Sequence, residues 1–556
     1  MSGLVRRGGK VCGNFSDVWK LSVVALFLVA GCRFVPEARE GERAIAPLPP
    51  RFGEVGMQDG FLTVDGERFL VVGVGYEPGC RKGQLPWERK FEPDVLGADF
   101  ARIRKAGFNT IRTWAPLLDE ELELAAEYGL WAIPGIWFDP AGDFADPKFQ
   151  DEQLRLIERE VGRMSKHPNV LCYLLLNEPH GHAVHSAGVS TVKAFYAKLR
   201  EAARRADPKR LFSYSNCVAT DFVMPDEWDF VAANVYPYSP VTIEKALGYR
   251  TYLEILRDRY AGGKPMLITE FGLSVSPRGD GRGYGGNSLE EQRDGVLRMW
   301  NDILNTGCGG GCVFMWTDGW WKYGDKDRHD DHAEEWYGLI ETDSERIGRP
   351  RPLYYALQDY NRAIRTQPRD GDAVAGDSVA VEVWAPEAAQ VQARIGDGGW
   401  EALKRVGRQW WRGEIPLKDV KPGAEYLWTR AVAPSGEASG LKSCIVRVGG
   451  EPSSSLSVKI RPVSSPFDVG VPMPLEVEVR DGAGRPVSGR MVNVGRYLHT
   501  QWNEAAAEAE TDGEGIARVE LPALPAPGIA SIAAGAAYED GLIRRRAGDY
   551  VHVDVE

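Results

Sequence analysis

Between residues 61 and 368, short and almost uninterrupted apolar runs alternate with longer stretches in which apolar positions recur every three or four residues. The runs at 69–75, 110–114, 131–138, 170–177, 211–216, 230–236, 266–271 and 312–317 read as strands. The stretches at 93–106, 118–128, 149–166, 189–206, 242–260 and 289–306 read as amphipathic helices. Strands apolar on both faces belong to a parallel sheet covered by helices. Eight such units in roughly 300 residues predict a (β/α)8 TIM barrel over 56–368. A doubly wound open sheet would place a G-x-G-x-x-G after its first strand, and none stands there. From residue 371 the period changes to two, as at 379–384, 455–461 and 475–480, with turn signals at Asp397-Gly398, Pro434-Ser435-Gly436, Asp481-Gly482 and Asp512-Gly513. That pattern predicts two small all-β sandwiches, at 371–450 and 455–556, joined by a linker near 450–455.

The N-terminus follows neither pattern. Arg6, Arg7, Lys10 and Lys20 precede an apolar run at 21–30 that is too short to span a bilayer, and this reads as an export signal. The run ends in Leu28-Val29-Ala30-Gly31-Cys32, which resembles a bacterial lipobox. The resemblance implies a signal peptide over 1–32, lipidation of Cys32, and an exported, membrane-anchored bacterial lipoprotein. The Pro- and charge-rich segment after it, 33–55, reads as a tether. The remaining cysteines show no metal-finger spacing; Cys172 reads as a core thiol, and Cys308 and Cys312 could pair. The last sandwich, with 481–487 and 511–515, resembles bacterial immunoglobulin-like modules.

Charge narrows the function. Lys+Arg 67 against Asp+Glu 79 gives −12, which would repel a phosphate backbone, so no nucleic-acid partner is expected. The 17 tryptophans are an ample supply of flat apolar faces for a ligand.

In a barrel of this kind the chemistry comes from the C-terminal ends of the strands. Those ends carry Tyr76, Arg112 with Trp114, Trp137, Asn177-Glu178, Asn216, Asn234 with Tyr236, Glu270 and Trp316. One glutamate closing an apolar strand is as readily a helix cap or a solvated loop residue. Two of them, on the fourth and seventh strands among Arg, Asn, Tyr and Trp, suit paired carboxylates with separated pKa values.

Asn177-Glu178-Pro179 and Thr269-Glu270-Phe271-Gly272, with the segments 107–112, 167–170 and 335–339, resemble the retaining β-glycosidases of clan A, families 2 and 5. The resemblance covers roughly 61–365. It implies cleavage of β-linked oligo- or polysaccharides by double displacement, with Glu178 as acid/base and Glu270 as nucleophile. It further implies that Asn177 contacts the sugar 2-hydroxyl, Tyr236 and Arg112 hold the nucleophile, and Trp316 floors the sugar site. Two departures leave the sugar open. The jelly roll that usually precedes a family 2 barrel has no counterpart between signal and first strand, and 136–139 is Ile-Trp-Phe-Asp where family 5 often places a histidine.

Trp114, Trp137, Asn216 and the Trp320-Trp321 pair complete the expected substrate site. His180, His182 and His185 read as solvated or sugar-contacting rather than as a metal site, and the acidic loop at 325–331 reads as solvated rather than as a Ca²⁺ site, so no metal or cofactor is expected. Trp410-Trp411 reads equally as a glycan contact or as core. Rival readings are a transglycosylase using the same residues and a non-catalytic surface glycan-binding protein; binding alone would need neither glutamate.

Overall fold

The computed structural model describes residues 52–556 except 81, 224–225, 239, 343–347, 451–454, 463–465 and 541. The export signal, Cys32, the tether up to residue 51 and part of the 450–455 linker lie outside the described residues.

Eight parallel strands form one sheet: β1 Val71–Gly75, β2 Thr110–Arg112, β3 Trp131–Ile133, β4 Cys172–Asn177, β5 Leu211–Asn216, β6 Val231–Asn234, β7 Met266–Phe271 and β8 Gly310–Val313. They pair in the order β3-β2-β1-β8-β7-β6-β5-β4. Parallel bridges from Ala132 to Val170 and from Gly135 to Leu174 close the ring between β3 and β4. The fold is a TIM barrel. Its strands alternate between two apolar layers, which is why each reads as a continuous apolar run. Val71, Ile133, Leu174, Ala232, Leu267 and Cys312 share one buried cluster with the hairpin residues Val55 and Leu62, while Val72, Val74, Ile111, Ala132 and Ile268 join the layer packed under the helices. The hairpin Val55–Gln58/Phe61–Val64 covers the end where the strands begin; Phe52 and Phe69 pack edge-on against Trp131 at 4.9 and 5.7 Å.

The helices follow their local signals. Pro147–Met164 starts on Asp146, whose carboxylate accepts from the amides of Lys148 and Phe149, and buries Ile157, Val161 and Met164. Leu289–Asn305 starts on a capping box formed by Ser288 and Glu291. Among the described residues the β5–β6 connection, 217–230, carries no helix.

β8 lies earlier than the predicted 312–317, because a strand that opens on glycines carries no apolar signal over its first residues. Ile364–Gln367, assigned by sequence to the barrel, pairs instead with the strand Ser378–Trp384. Together with Trp410–Pro416 and Lys404–Arg405 it forms one sheet, facing a five-stranded sheet built around Gly423–Val432. Trp410 and Trp411 are both buried, which decides for core packing against a glycan contact. Trp411 enters the sandwich core, while Trp410 points the other way and donates from Nε1 to the Arg68 carbonyl at 2.8 Å. Cys308 and Cys312 are buried free thiols, so the suggested pairing is not formed.

The last sandwich has sheets of three and four strands around a core of Val477, Val479, Val494, Ile532 and neighbours. Its larger sheet packs on the barrel at 242–260 and at the helix-free β5–β6 connection: Thr251 Oγ1 donates to Arg546 O at 3.0 Å, and Tyr252 meets Tyr550 edge-on at 5.6 Å. Gly535 permits this approach, since a Cβ there would collide with the Ala246 carbonyl. No helix among the described residues is long and apolar enough to cross a membrane.

Candidate active site

A pocket of about 730 Å³ opens where the strands end, lined by Glu77, Trp87, Trp114, Trp137, Asn177, Glu178, Tyr236, Tyr238, Glu270, Phe314, Trp321, Lys322 and Glu334. A crevice of equal volume lies at the opposite end of the barrel, between Arg104–Asn109 and the first sandwich, but contains neither Glu178 nor Glu270.

The two glutamates are supported differently. Glu270 Oε1 is 2.9 Å from Arg112 Nη1 and accepts from Trp114 Nε1 at 2.7 Å; its Oε2 accepts from the Tyr236 hydroxyl at 2.9 Å. Two hydrogen-bond donors and one cation, only 1% exposed, converge on this side chain. Trp114 lies over the end of β1 because Gly75 has no Cβ to meet its ring; one built there would stand 2.7 Å from it.

Glu178 accepts one bond, from Asn234 Nδ2 at 2.8 Å. Thr269 Oγ1 donates to Asn234 Oδ1 at 2.8 Å, which fixes the amide so that its NH2 faces Glu178. Burial, and then the charge of Glu270, raise the Glu178 carboxyl from 4.5 to about 7. Its backbone is left-handed at φ 49°, a conformation that costs a non-glycine residue of order 1–3 kcal/mol and concentrates at functional sites. Its own N–H is tied to the Ser215 carbonyl at 2.8 Å.

Asn177 Oδ1 accepts from Arg112 Nη2 at 2.6 Å and from Asn234 Nδ2 at 3.2 Å, leaving its NH2 to donate toward the pocket. Trp137, 50% exposed, forms part of the rim.

Four expected residues are elsewhere. Trp316 is 1% exposed, packs against Tyr354 at 6.1 Å and belongs to the helix-side core; because β8 ends at Val313, Phe314 takes the pocket position instead. Asn216 closes its own turn, accepting from Cys217 N and Thr220 Oγ1 and donating to Thr220 O. Tyr76, read at a strand end, is buried and donates to Asp99 at 3.1 Å. Of the tryptophan pair, Trp321 lines the pocket, whereas Trp320 is buried, donates to Thr342 O and stacks on His329.

The pocket also contains residues the strand-end reading assigned no role. Glu77 directly follows Tyr76, so its signal was available; burial raises it to about 7 against the opposing pull of Lys322. Trp87, Lys322 and Glu334 come from loops. Trp87 meets Trp321 edge-on at 5.5 Å, and Lys322 Nζ lies 4.6 Å from the Phe314 ring and 3.8 Å from Glu334.

Residues 55–306 match the family model for glycosyl hydrolases family 2, TIM barrel domain. A β-glucuronidase of Chlorocebus aethiops is 28% identical over 169 residues, 29% of this chain and 24% of that protein. A β-galactosidase of Aeromonas hydrophila subsp. hydrophila is 26% identical over 186 residues, 31% of this chain and 17% of that protein. The chain thus spans a quarter or less of the curated relatives it matches, and these relatives are glycosidases. Among solved structures, a β-glucuronidase of Parabacteroides merdae with glycerol in its active site aligns over 91% of this chain and 63% of its own, at 15% identity and TM-score 0.44.

Proposed function

We propose that the chain is a retaining β-glycoside hydrolase that cleaves β-linked oligo- or polysaccharides, with Glu178 as acid/base and Glu270 as nucleophile. The observation that carries this reading is the unequal support of two carboxylates in one pocket: one faces the Arg112 cation and two hydrogen-bond donors, the other is buried and raised to about 7. In the first step the Glu178 proton passes to the glycosidic oxygen as Glu270 attacks the anomeric carbon; the C–O bond breaks and a glycosyl ester forms. In the second, Glu178 takes a proton from water, the water oxygen bonds to the anomeric carbon, and Glu270 leaves as carboxylate. The Asn177 NH2 is placed to donate to a sugar hydroxyl, and Trp87, Trp137 and Trp321 offer faces for sugar rings.

The test uses an activated aryl β-glycoside, which needs no proton for its leaving group. Glu178→Ala should turn it over far better than Glu270→Ala, and azide should restore the first variant through a β-azide product. Equal losses that azide does not restore, or an inverted anomer in the first-formed product of the wild type, would show the roles to be wrong. We propose further that the protein is exported and lipid-anchored at Cys32, on the strength of the lipobox resemblance.

A further inference from the structure

Among the described residues one trio of acid and imidazole side chains converges on a metal-sized space, and it lies outside the pocket: Asp221, His499 and His552, with ligand-type atoms within 4.8 Å of one another. Asp221 stands in the helix-free β5–β6 connection, whereas His499 and His552 belong to the last sandwich, so the trio joins two parts of the molecule. Aromatic rings enclose it, with Phe222 4.7 Å from His499, and Tyr550 and Tyr260 5.1 and 5.9 Å from His552.

The hydrogen bonds determine which atoms carry lone pairs. His499 Nδ1 is 2.9 Å from the Ala219 carbonyl, which can only accept, so Nδ1 donates and Nε2 is basic. That nitrogen accepts from the Ser531 hydroxyl at 2.6 Å; Ser531 Oγ must then accept from His552 Nδ1 at 2.9 Å. His552 Nε2 is therefore a second basic nitrogen. It is buried, without a hydrogen-bond partner among the described residues. Facing it at 4.0 Å is Asp221 Oδ1, also buried and unpartnered, while Asp221 Oδ2 accepts from the hydroxyls of Tyr252 at 2.6 Å and Tyr550 at 2.7 Å. This carboxyl is only 5% exposed, and among the described residues His552 is the one basic side chain within 4.0 Å of it. With Asp221 ionised, two acceptors face one another across a gap of 4.0 Å that a cation would bridge.

We propose that Asp221 Oδ1, His552 Nε2 and His499 Nε2 bind one divalent transition-metal ion, zinc by ligand type, which clamps the last sandwich to the barrel. Two imidazoles and a carboxylate suit zinc, whereas magnesium and calcium prefer all-oxygen sets. The outer hydrogen bonds are those that orient metal ligands: a carbonyl on the far nitrogen of His499, a hydroxyl on that of His552, and two phenols on the far oxygen of Asp221. Tetrahedral bonds of ~2.0–2.2 Å set ligand atoms about 3.4 Å apart, so separations of up to 4.8 Å must shrink by up to about 1.4 Å, with Ser531 releasing His499; water fills the fourth position. Burial lowers His499 to about 3 and His552 to about 4, so both are neutral as ligands must be; it also raises Asp221 from 3.8 to about 7, so metal binding displaces a proton from that carboxyl below this pH.

The alternative occupant is a water molecule donating to both unpartnered atoms. Full-length protein purified without chelator should retain about one zinc per chain by elemental analysis. After stripping with dipicolinate, ZnCl2 at a hundredfold excess over its Kd should raise Tm by ~2–3 °C, the linkage expected for a chain of this length. CoCl2 should give the visible bands of a tetrahedral site. His552→Gln should abolish these bands while keeping the wild-type circular dichroism and the wild-type rate on the aryl β-glycoside. Wild-type protein with no bound zinc, no Tm response to ZnCl2 and no cobalt bands would overturn the proposal and leave water in the site. So would cobalt bands that persist in His552→Gln.

Discussion

Glu178→Gln keeps the shape of the acid/base side chain and removes its charge, so it measures what the fold gives up to keep that group poised. Burial and the neighbouring charge of Glu270 raise the Glu178 carboxyl from 4.5 to about 7. At ~1.4 kcal/mol for each tenfold change in proton affinity, keeping it ionised inside the fold costs about 3 kcal/mol. The folded pKa lies above the unfolded one. Wild-type protein therefore has its full share of stability below about pH 4.5 and loses it as the pH rises through about 7. Glutamine does not titrate. The two proteins should be nearly matched at pH 4.5, and the variant should be the more stable at pH 8.5 by up to about 3 kcal/mol, a Tm gap of ~3 °C for this length. Thermal unfolding of both proteins across that range is the assay. A gap that does not change with pH, or a variant less stable than wild type at pH 8.5, would refute the placement of Glu178 as a buried, raised carboxyl.

Trp137→Ala removes an exposed ring from the pocket rim; KM for an oligosaccharide should rise ~2–10-fold with kcat largely kept, since one aromatic contact is worth about 0.5–1.5 kcal/mol. An unchanged KM would place Trp137 outside the sugar path. Trp316→Ala should act on stability instead, lowering it by about 3–5 kcal/mol in denaturant titration, while Trp316→Phe should leave KM as in wild type. Cys32→Ser should release the protein from the membrane fraction with barrel activity largely intact; full recovery in membranes would refute lipid anchoring at that residue.

The barrel was legible because each of its strands is covered on both faces, so chain segments that bury everything appear as apolar runs of strand length. Glu178 and Glu270 were legible for the same reason, each being a charge at the end of such a run. Reading failed where a strand begins on glycine. Gly310 and Gly311 carry no apolar signal, so β8 was placed too late and Trp316 was put at the pocket in place of Phe314. Asn216 misled because a short amide at a strand end serves its own turn as readily as a ligand. Trp87, Lys322 and Glu334 reach the pocket through loop paths that no local period encodes. Trp410 and Trp411 show a subtler limit. Adjacent residues of a strand face opposite ways, which suggests that one is wet, but here the sandwich core covers one side and the barrel covers the other.

The lack of a helix among the described residues of the β5–β6 connection has a consequence for how this molecule can be taken apart. A TIM barrel ordinarily carries its own outer wall, and appended β domains can then be cut away or exchanged like beads on a string. Here a stretch of that wall is supplied some 300 residues later, by the sheet carrying Gly495, Gly535 and Tyr550, laid against Phe222, Ala246 and Tyr252. A fragment ending near residue 455 would be a barrel with a side open to solvent. Synthesis must therefore reach the strands Gly528–Asp540 and Ile543–Val555 before the barrel's enclosure is complete, and any homologue that trades this sandwich for another must also supply a new wall.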